Sequence, residues 1–216
     1  LRRQRQMCIR DSVNLIPRLY DATQGEVLVD GVNVKDYDIE ALRNKVGIVM
    51  QKAVLFKGTI RENMWMGKKG ATDEQIDEAL EISQSKEFVD SKQGRLDYVI
   101  EQGGKNLSGG QRQRLTIARA IVRKPDVLIL DDSASALDFA TDAALRKAIR
   151  GMNNSPTVFI VSQRAASLMY ADLIIVLDDG QVAGMGTHDE LLANCEVYKE
   201  IYESQFKKAD SEGGVA

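Results

Sequence analysis

Residues 127–138 read VLILDDSASALD, and four apolar residues run straight into two carboxylates, Asp131 and Asp132. A run this short and this apolar suits a strand buried on both faces. Carboxylates at the end of such a strand can do phosphate chemistry. One can hold Mg2+, directly or through water, and the next can orient a water for attack on a phosphate. The plain alternative is that one aspartate caps the following turn and the other is solvated. A second stretch, NLSGGQRQR (106–114), sets Ser108, Gly109 and Gly110 at the start of a long helix. Free amides, two glycines without side chains and the positive helix end make an anion site. Ser as N-cap and Gly as loop would account for it taken alone.

The elements around these residues follow from local patterns. EVLVDGVNV (26–34) alternates about Asp30-Gly31, a pair that favours a tight hairpin turn. VGIVM (46–50) is a short buried strand, preceded by a short helix over DIEALRNK. Thr72 and Gln75 stand at capping-box spacing and open another helix. GGQRQRLTIARAIVRK places Leu115, Ala118, Ile121 and Val122 on one helical face, and Pro125 stops that helix before the 127–130 strand. TDAALRKAIRG forms a helix closed by Gly151, and TVFIVS and LIIVLDDG are strands. Thr187 and Glu190 cap a last helical region ending near Phe206, with a polar, disordered tail over 207–216. Strands alternating with helices predict a largely parallel α/β sheet, whose ligands lie beyond the carboxyl ends of the strands.

Composition narrows the class. With 44% hydrophobic residues the chain can bury a core, and its net charge of −3 gives no pull towards nucleic acid. Two cysteines, Cys8 and Cys195, are too few for a disulfide framework. The longest apolar runs, such as LIIVL (173–177), fall far short of the ~20 residues that cross a bilayer. The expectation is a soluble chain, able to dock onto a membrane protein.

Taken together and in order, these stretches resemble an ATP-binding cassette (ABC) nucleotide-binding domain of bacterial exporter type, over residues 13 to about 206. LSGGQ (107–111) matches the family signature, VLILDD the Walker B strand, SALD (135–138) the D-loop, and Gln51 the Q-loop glutamine. DYVIEQGGKNLSGG resembles the approach to the signature, and GTHDELL (186–192) also reads like the family. The resemblance implies a P-loop NTPase-like α/β fold with a helical subdomain over about 55–120. It implies ATP and Mg2+ as cofactors, and ATP hydrolysis as the family activity. Asp131 would hold the Mg2+ shell, with Gln51 touching the metal or the attacking water. Leu107, Ser108, Gly109, Gly110 and Gln111 would face the γ-phosphate of ATP bound to a second such subunit, because ABC domains close head to tail. Asp138 would line the nucleotide site from the D-loop. Glu101 would contact the transmembrane domains, normally fused upstream, which places the domain on the cytoplasmic face of the membrane.

Two departures matter. Family members that hydrolyse ATP carry Glu after the Walker B Asp, where this chain has Asp132. They carry His in the switch after the next strand, where VSQRAAS offers Gln163. Asp is one methylene shorter than Glu and withdraws the carboxylate by ~1 Å, enough to cost about 100-fold in rate. Gln can donate a hydrogen bond to a phosphate but cannot carry a proton. Both changes beside an intact signature resemble the degenerate half of a heterodimeric exporter. The alternatives are an ordinary homodimeric exporter ATPase and a soluble regulatory ABC ATPase. The stretch from Gln51 to Leu107 is too short for the coiled coil of chromosome-type members. His188, the only histidine, lies in a capping sequence and reads as an exposed first-turn residue.

The front of the chain does not follow the family. A phosphate cradle, G-x-x-x-x-G-K-[ST], should precede VNLIPRLYD (13–21), but LRRQRQMCIRDS contains no glycine. In register, the cradle's Lys position falls near Ile9 and its hydroxyl position near Arg10. Residues 1–12 resemble translated sequencing-adapter sequence more than a basic nucleic-acid arm or a native terminus. The expectation is a gene fragment cut inside the domain.

Overall fold

The structure is a computed structural model and describes residues 9–133 and 136–212. Its centre is a parallel three-stranded sheet of β3 (Val46–Val49), β6 (Val127–Asp131) and β7 (Thr157–Val161), in the order β3-β6-β7. Val46 pairs with Val127 and Val49 with Leu130, while Asp131 pairs with Val161 on the far side. The strand alternation explains the apolar run. Leu128 and Leu130 face a large core shared with α4 (Asp73–Ile82), α6 (Gly109–Ile121) and α7 (Phe139–Arg150). Ile129 faces a second core with Val29, Val34, Leu42 and Val46. With both faces covered, no position before Asp131 on β6 favours a polar residue.

Short antiparallel pairs frame this sheet. Asp30 (φ 52°) and Gly31 (φ 77°) make the turn between β1 (Leu28–Val29) and β2 (Val32–Asn33), as the Asp-Gly pair predicts. The predicted α2 (Ile39–Lys45) lies ahead of β3, and a helical segment over residues 9–14 (α1) lies ahead of β1. The stretch 55–120 holds α3 (Ile60–Trp65), α4, α5 (Lys86–Asp90) and α6, with β4 (Gly58–Thr59) paired to β5 (Val99–Ile100). Its buried side chains, Leu55, Ile60, Met64, Ile76 and Leu80 among them, join those of the sheet in one cluster rather than forming a core of their own. Capping boxes start α3, α4, α6 and α8 (His188–Asn194).

The C-terminal third departs from the pattern in two places. Gln181–Gly186 forms a strand, β9, antiparallel to β8 (Ile174–Asp178) across an Asp179-Gly180 turn. Gln181, Val182, Ala183 and Met185 are exposed, so no apolar alternation marks it. After α8 (His188–Asn194), α9 runs from Glu196 to Glu212, beyond the end near Phe206 that the pattern suggests. Its backbone therefore covers part of the stretch expected as a disordered tail, of which 213–216 lie outside the described residues. A third cluster, Ile174, Val176, Leu191, Cys195 and Tyr198, seats α8 and α9 on the β8–β9 hairpin.

One buried side chain ties this fold to the segment after Gln51. Asn63, fully buried on α3, donates through Nδ2 to the carbonyls of Phe56 and Thr59 (3.0 Å each) and accepts from the Phe56 amide (3.0 Å). Asn63→Leu would leave three backbone groups unpaired in the interior. It should destabilise the chain by about 1–3 kcal/mol, read by urea denaturation, with the Phe56 amide losing its exchange protection.

Candidate nucleotide site

The residues with nucleotide chemistry gather in two groups. The first lies at the carboxyl ends of β3 and β6. Asp131 is the last residue of β6 and is 4% exposed. The next residue, Asp132, takes a left-handed conformation (φ 46°), and its amide donates to the Val161 carbonyl at 2.8 Å. The kink turns two successive carboxylates to different surroundings. Gln51, just past β3, donates from Nε2 to Asp132 Oδ2 at 2.9 Å. Gln51 and Asp132 are thus joined beside Asp131, at the carboxyl ends of β3 and β6.

Arg10 completes the group. Its Nε lies 2.9–3.0 Å from both Asp131 carboxylate oxygens, and its Nη2 donates to Gln51 Oε1 at 2.5 Å. A carboxylate this buried is costly without a compensating cation, and the guanidinium supplies it. The contact comes from the stretch set aside above as foreign to the family. Its signal was the register that puts Arg10 at the hydroxyl position of the missing cradle. Asp131 and Gln51 offer the hard oxygens that Mg2+ prefers, but both are taken up by Arg10. No group of three or more His, Cys, Asp or Glu side chains able to hold a metal occurs among the described residues. Mg2+ does not fit this arrangement as it stands, and no step is assigned to it.

The second group sits at the start of α6. Ser108 is the N-cap (φ −66°, ψ 164°); its Oγ accepts from the Gln111 amide at 3.2 Å, and Gln111 Oε1 accepts from the Ser108 amide at 3.0 Å. Ser108 and Gly109 are exposed, whereas Leu107 is buried, its carbonyl accepting from Arg112 Nη1 at 2.8 Å. A Cβ placed on Gly109 meets nothing within 4 Å, so the fold itself does not require glycine there. A Cβ on Gly110 comes 3.3 Å from the Ala136 carbonyl, which sets this turn against the Ala136–Asp138 stretch. Ser135, at the head of that stretch, lies outside the described residues. Asp138 caps α7, accepting from the amide (2.9 Å) and hydroxyl (2.8 Å) of Thr141.

The remaining expected residues lie apart. Glu101 is exposed, held by its amide to Asn106 Oδ1 at 3.0 Å, ahead of Gly103 and Gly104, which both have positive φ. Gln163 is exposed just beyond β7, and its carbonyl accepts from Gln205 Nε2 at 2.6 Å. Gln205 was invisible to sequence reasoning, since nothing local links α9 to a loop 42 residues earlier. His188 differs from expectation. It is half-buried, with Nδ1 2.8 Å from the Tyr198 hydroxyl and its ring edge-on to Tyr198. It is a packing residue of the α8–α9 corner.

Comparison with known proteins decides the family. Residues 12–135 match the family model described as ABC transporter. This chain belongs to the ABC transporter family. Its relatives include the uncharacterised ABC transporter ATP-binding protein YfiB of Bacillus subtilis, 45% identical over 198 residues, which cover 92% of this chain and 34% of that protein. A putative multidrug export ATP-binding/permease protein of Staphylococcus aureus is 39% identical over 193 residues, 89% of this chain and 33% of the relative. Among solved structures, a bacterial Atm1-family ABC exporter with ATP bound superposes with a TM-score of 0.86 at 32% identity, covering 91% of this chain and 35% of that one. The chain thus spans about a third of the length of these ABC proteins. Its α/β architecture is that of the ABC ATPase, and the family binds ATP and hydrolyses it.

Asp138 offers a test of the local geometry by pH. Hydrogen bonds from the Thr141 amide, and then from its hydroxyl, hold the Asp138 carboxyl below the ordinary aspartate range. A depressed folded pKa means that the cap is fully present above the unfolded value and is lost as pH falls through the lowered folded value. Thr141 amide protection should therefore outlast the titration of ordinary aspartates on acidification. Asp138→Asn should remove this pH dependence, with amide exchange at Thr141 as the readout.

Proposed function

We propose that this chain is the nucleotide-binding domain of an ABC exporter and the half of an unlike pair whose own catalytic position is degenerate. Its contribution to turnover is the signature turn, Ser108 to Gln111, presented to ATP held by a partner subunit. The observation that carries the reading is the contrast between the two groups. The signature turn is intact, capped and exposed, with open space around Gly109. The residue after the Walker B aspartate is Asp132, shorter than the glutamate of hydrolysing members, and its carboxylate is already engaged by Gln51. Gln163, at the switch position, has no titratable proton to shuttle.

In this reading the amides at the start of α6 and the Ser108 hydroxyl meet the γ-phosphate across the dimer, where the helix end favours negative charge. Charge developing in the transition state is stabilised by donors already in place. Asp138 lies beside this turn, at the boundary with the partner's nucleotide. Glu101, exposed near the start of the signature loop, is the proposed contact to transmembrane segments. The domain would work at the cytoplasmic face of the membrane. The S. aureus relative named for both ATP-binding and permease parts supports that assembly.

The reading ranks two substitutions in the assembled transporter. Gly109→Asp sets a side chain and a negative charge where a phosphate must approach, while the chain's own packing leaves room for it. Losing such donors typically costs about 3 kcal/mol of transition-state stabilisation, or roughly a hundredfold. Gly109→Asp should therefore depress ATPase more than Asp132→Ala. A larger loss with Asp132→Ala would make this half the working one.

A further inference from the structure

The loop after β7 carries the switch position, and its backbone is held from α9. We infer that Gln205 is a positioning residue that clamps this loop, so that the seating of α9 controls how freely the Gln163 backbone moves. The carboxamide engages the loop at two points. Its Nε2 donates to the Gln163 carbonyl at 2.6 Å, and its Oε1 accepts from the Ala165 amide at 2.9 Å. A primary amide used in this way pairs with the backbone much as a neighbouring strand would. It satisfies an amide on a residue that is 2% exposed, where an unpaired N–H would be costly.

The reach of Gln205 follows from the pattern on α9. Tyr198, Tyr202 and Gln205 stand at i, i+4 and i+7, one face of a helix. Tyr198 is 3% exposed and joins Ile174, Val176, Leu191 and Cys195 in the C-terminal core. His188 bonds to Tyr198 and packs on Tyr202. The tyrosines therefore anchor the first turns of α9, and the same face then delivers Gln205 to the loop. Other bonds hold the loop locally, among them Ser162 Oγ accepting from the Arg164 amide at 3.0 Å and Arg146 of α7 donating to the Ser167 carbonyl. Of the bonds just named, those of Gln205 run from the loop to the C-terminal helix. The consequence for nucleotide handling rests on the proposed function. In a half that turns over slowly, a fixed switch loop would slow nucleotide exchange at its own site without changing the partner's chemistry.

The test has a structural arm and a functional arm. In the full chain, Gln205→Ala should raise amide exchange at Ala165 about tenfold, as expected for a lost pair of hydrogen bonds. Gln205→Glu keeps an acceptor for the Ala165 amide but sets a carboxylate against the Gln163 carbonyl, so it should restore much of the Ala165 protection. Gln205→Glu also serves if the alanine variant unseats α9. Unchanged Ala165 exchange in both variants would overturn the clamp. In the assembled transporter, with a family-type phosphate cradle in place of residues 1–12 and the partner's site blocked, release of a fluorescent ATP analogue from this half should be several-fold faster in Gln205→Ala. With the partner's site open, steady-state turnover should stay within about twofold. Loosened exchange at Ala165 with unchanged nucleotide release would overturn the positioning role. Loosened exchange with a proportional loss of turnover would leave the clamp standing and refute the division of labour between the halves.

Discussion

The Asp131 carboxylate is buried at the end of a strand that is itself buried on both faces, and much of the site follows from compensating it. Strand β6 must be central because Leu128 and Leu130 belong to one core and Ile129 to another. Centrality puts the first residue after the apolar run in a place where water is scarce. A negative charge there needs a cation or several donors within reach. Arg10 provides both, reaching Asp131 and Gln51 together. The left-handed kink at Asp132 then frees the next carboxylate from the strand and presents it to Gln51 Nε2.

The signature turn obeys a different constraint. Its polar side chains are spent on its own helix, Ser108 on the Gln111 amide and Gln111 on the Ser108 amide. What remains for a ligand is the Ser108 O–H, whose oxygen alone the capping box uses, the exposed backbone around Gly109 and the field of a 13-residue helix. Such a surface gains its full value only against a phosphate held by something else. In the proposed reading, a turn that would complete another subunit's site and a pair, Asp132 and Gln163, one methylene and one proton short of the family pattern belong to one division of labour.

How much of this was legible in the sequence depended on the range of the forces involved. The parallel strands, the Asp30-Gly31 turn and the capping boxes were readable, because local patterning specified each. Strand β9 was not, since its side chains on both faces are exposed and carry no alternation. The depth of His188 was not, because its partner is a tyrosine on the following helix. Gln205 shows the limit most clearly. Its i+7 spacing from Tyr198 was present in the sequence, but only the tertiary seating of α9 reveals that the loop after β7 lies beneath it.

The most direct measurement of the central claim is single-turnover hydrolysis by the assembled pair, with a family-type phosphate cradle in place of residues 1–12 and the partner's own Walker carboxylate neutralised, so that only the site containing Asp132 and Gln163 can act. The account predicts a rate about a hundredfold or more below that of the unmodified pair, given a carboxylate set back by ~1 Å and a switch residue that cannot carry a proton. A rate comparable to half that of the unmodified pair would contradict it, and would make this chain an ordinary hydrolysing subunit.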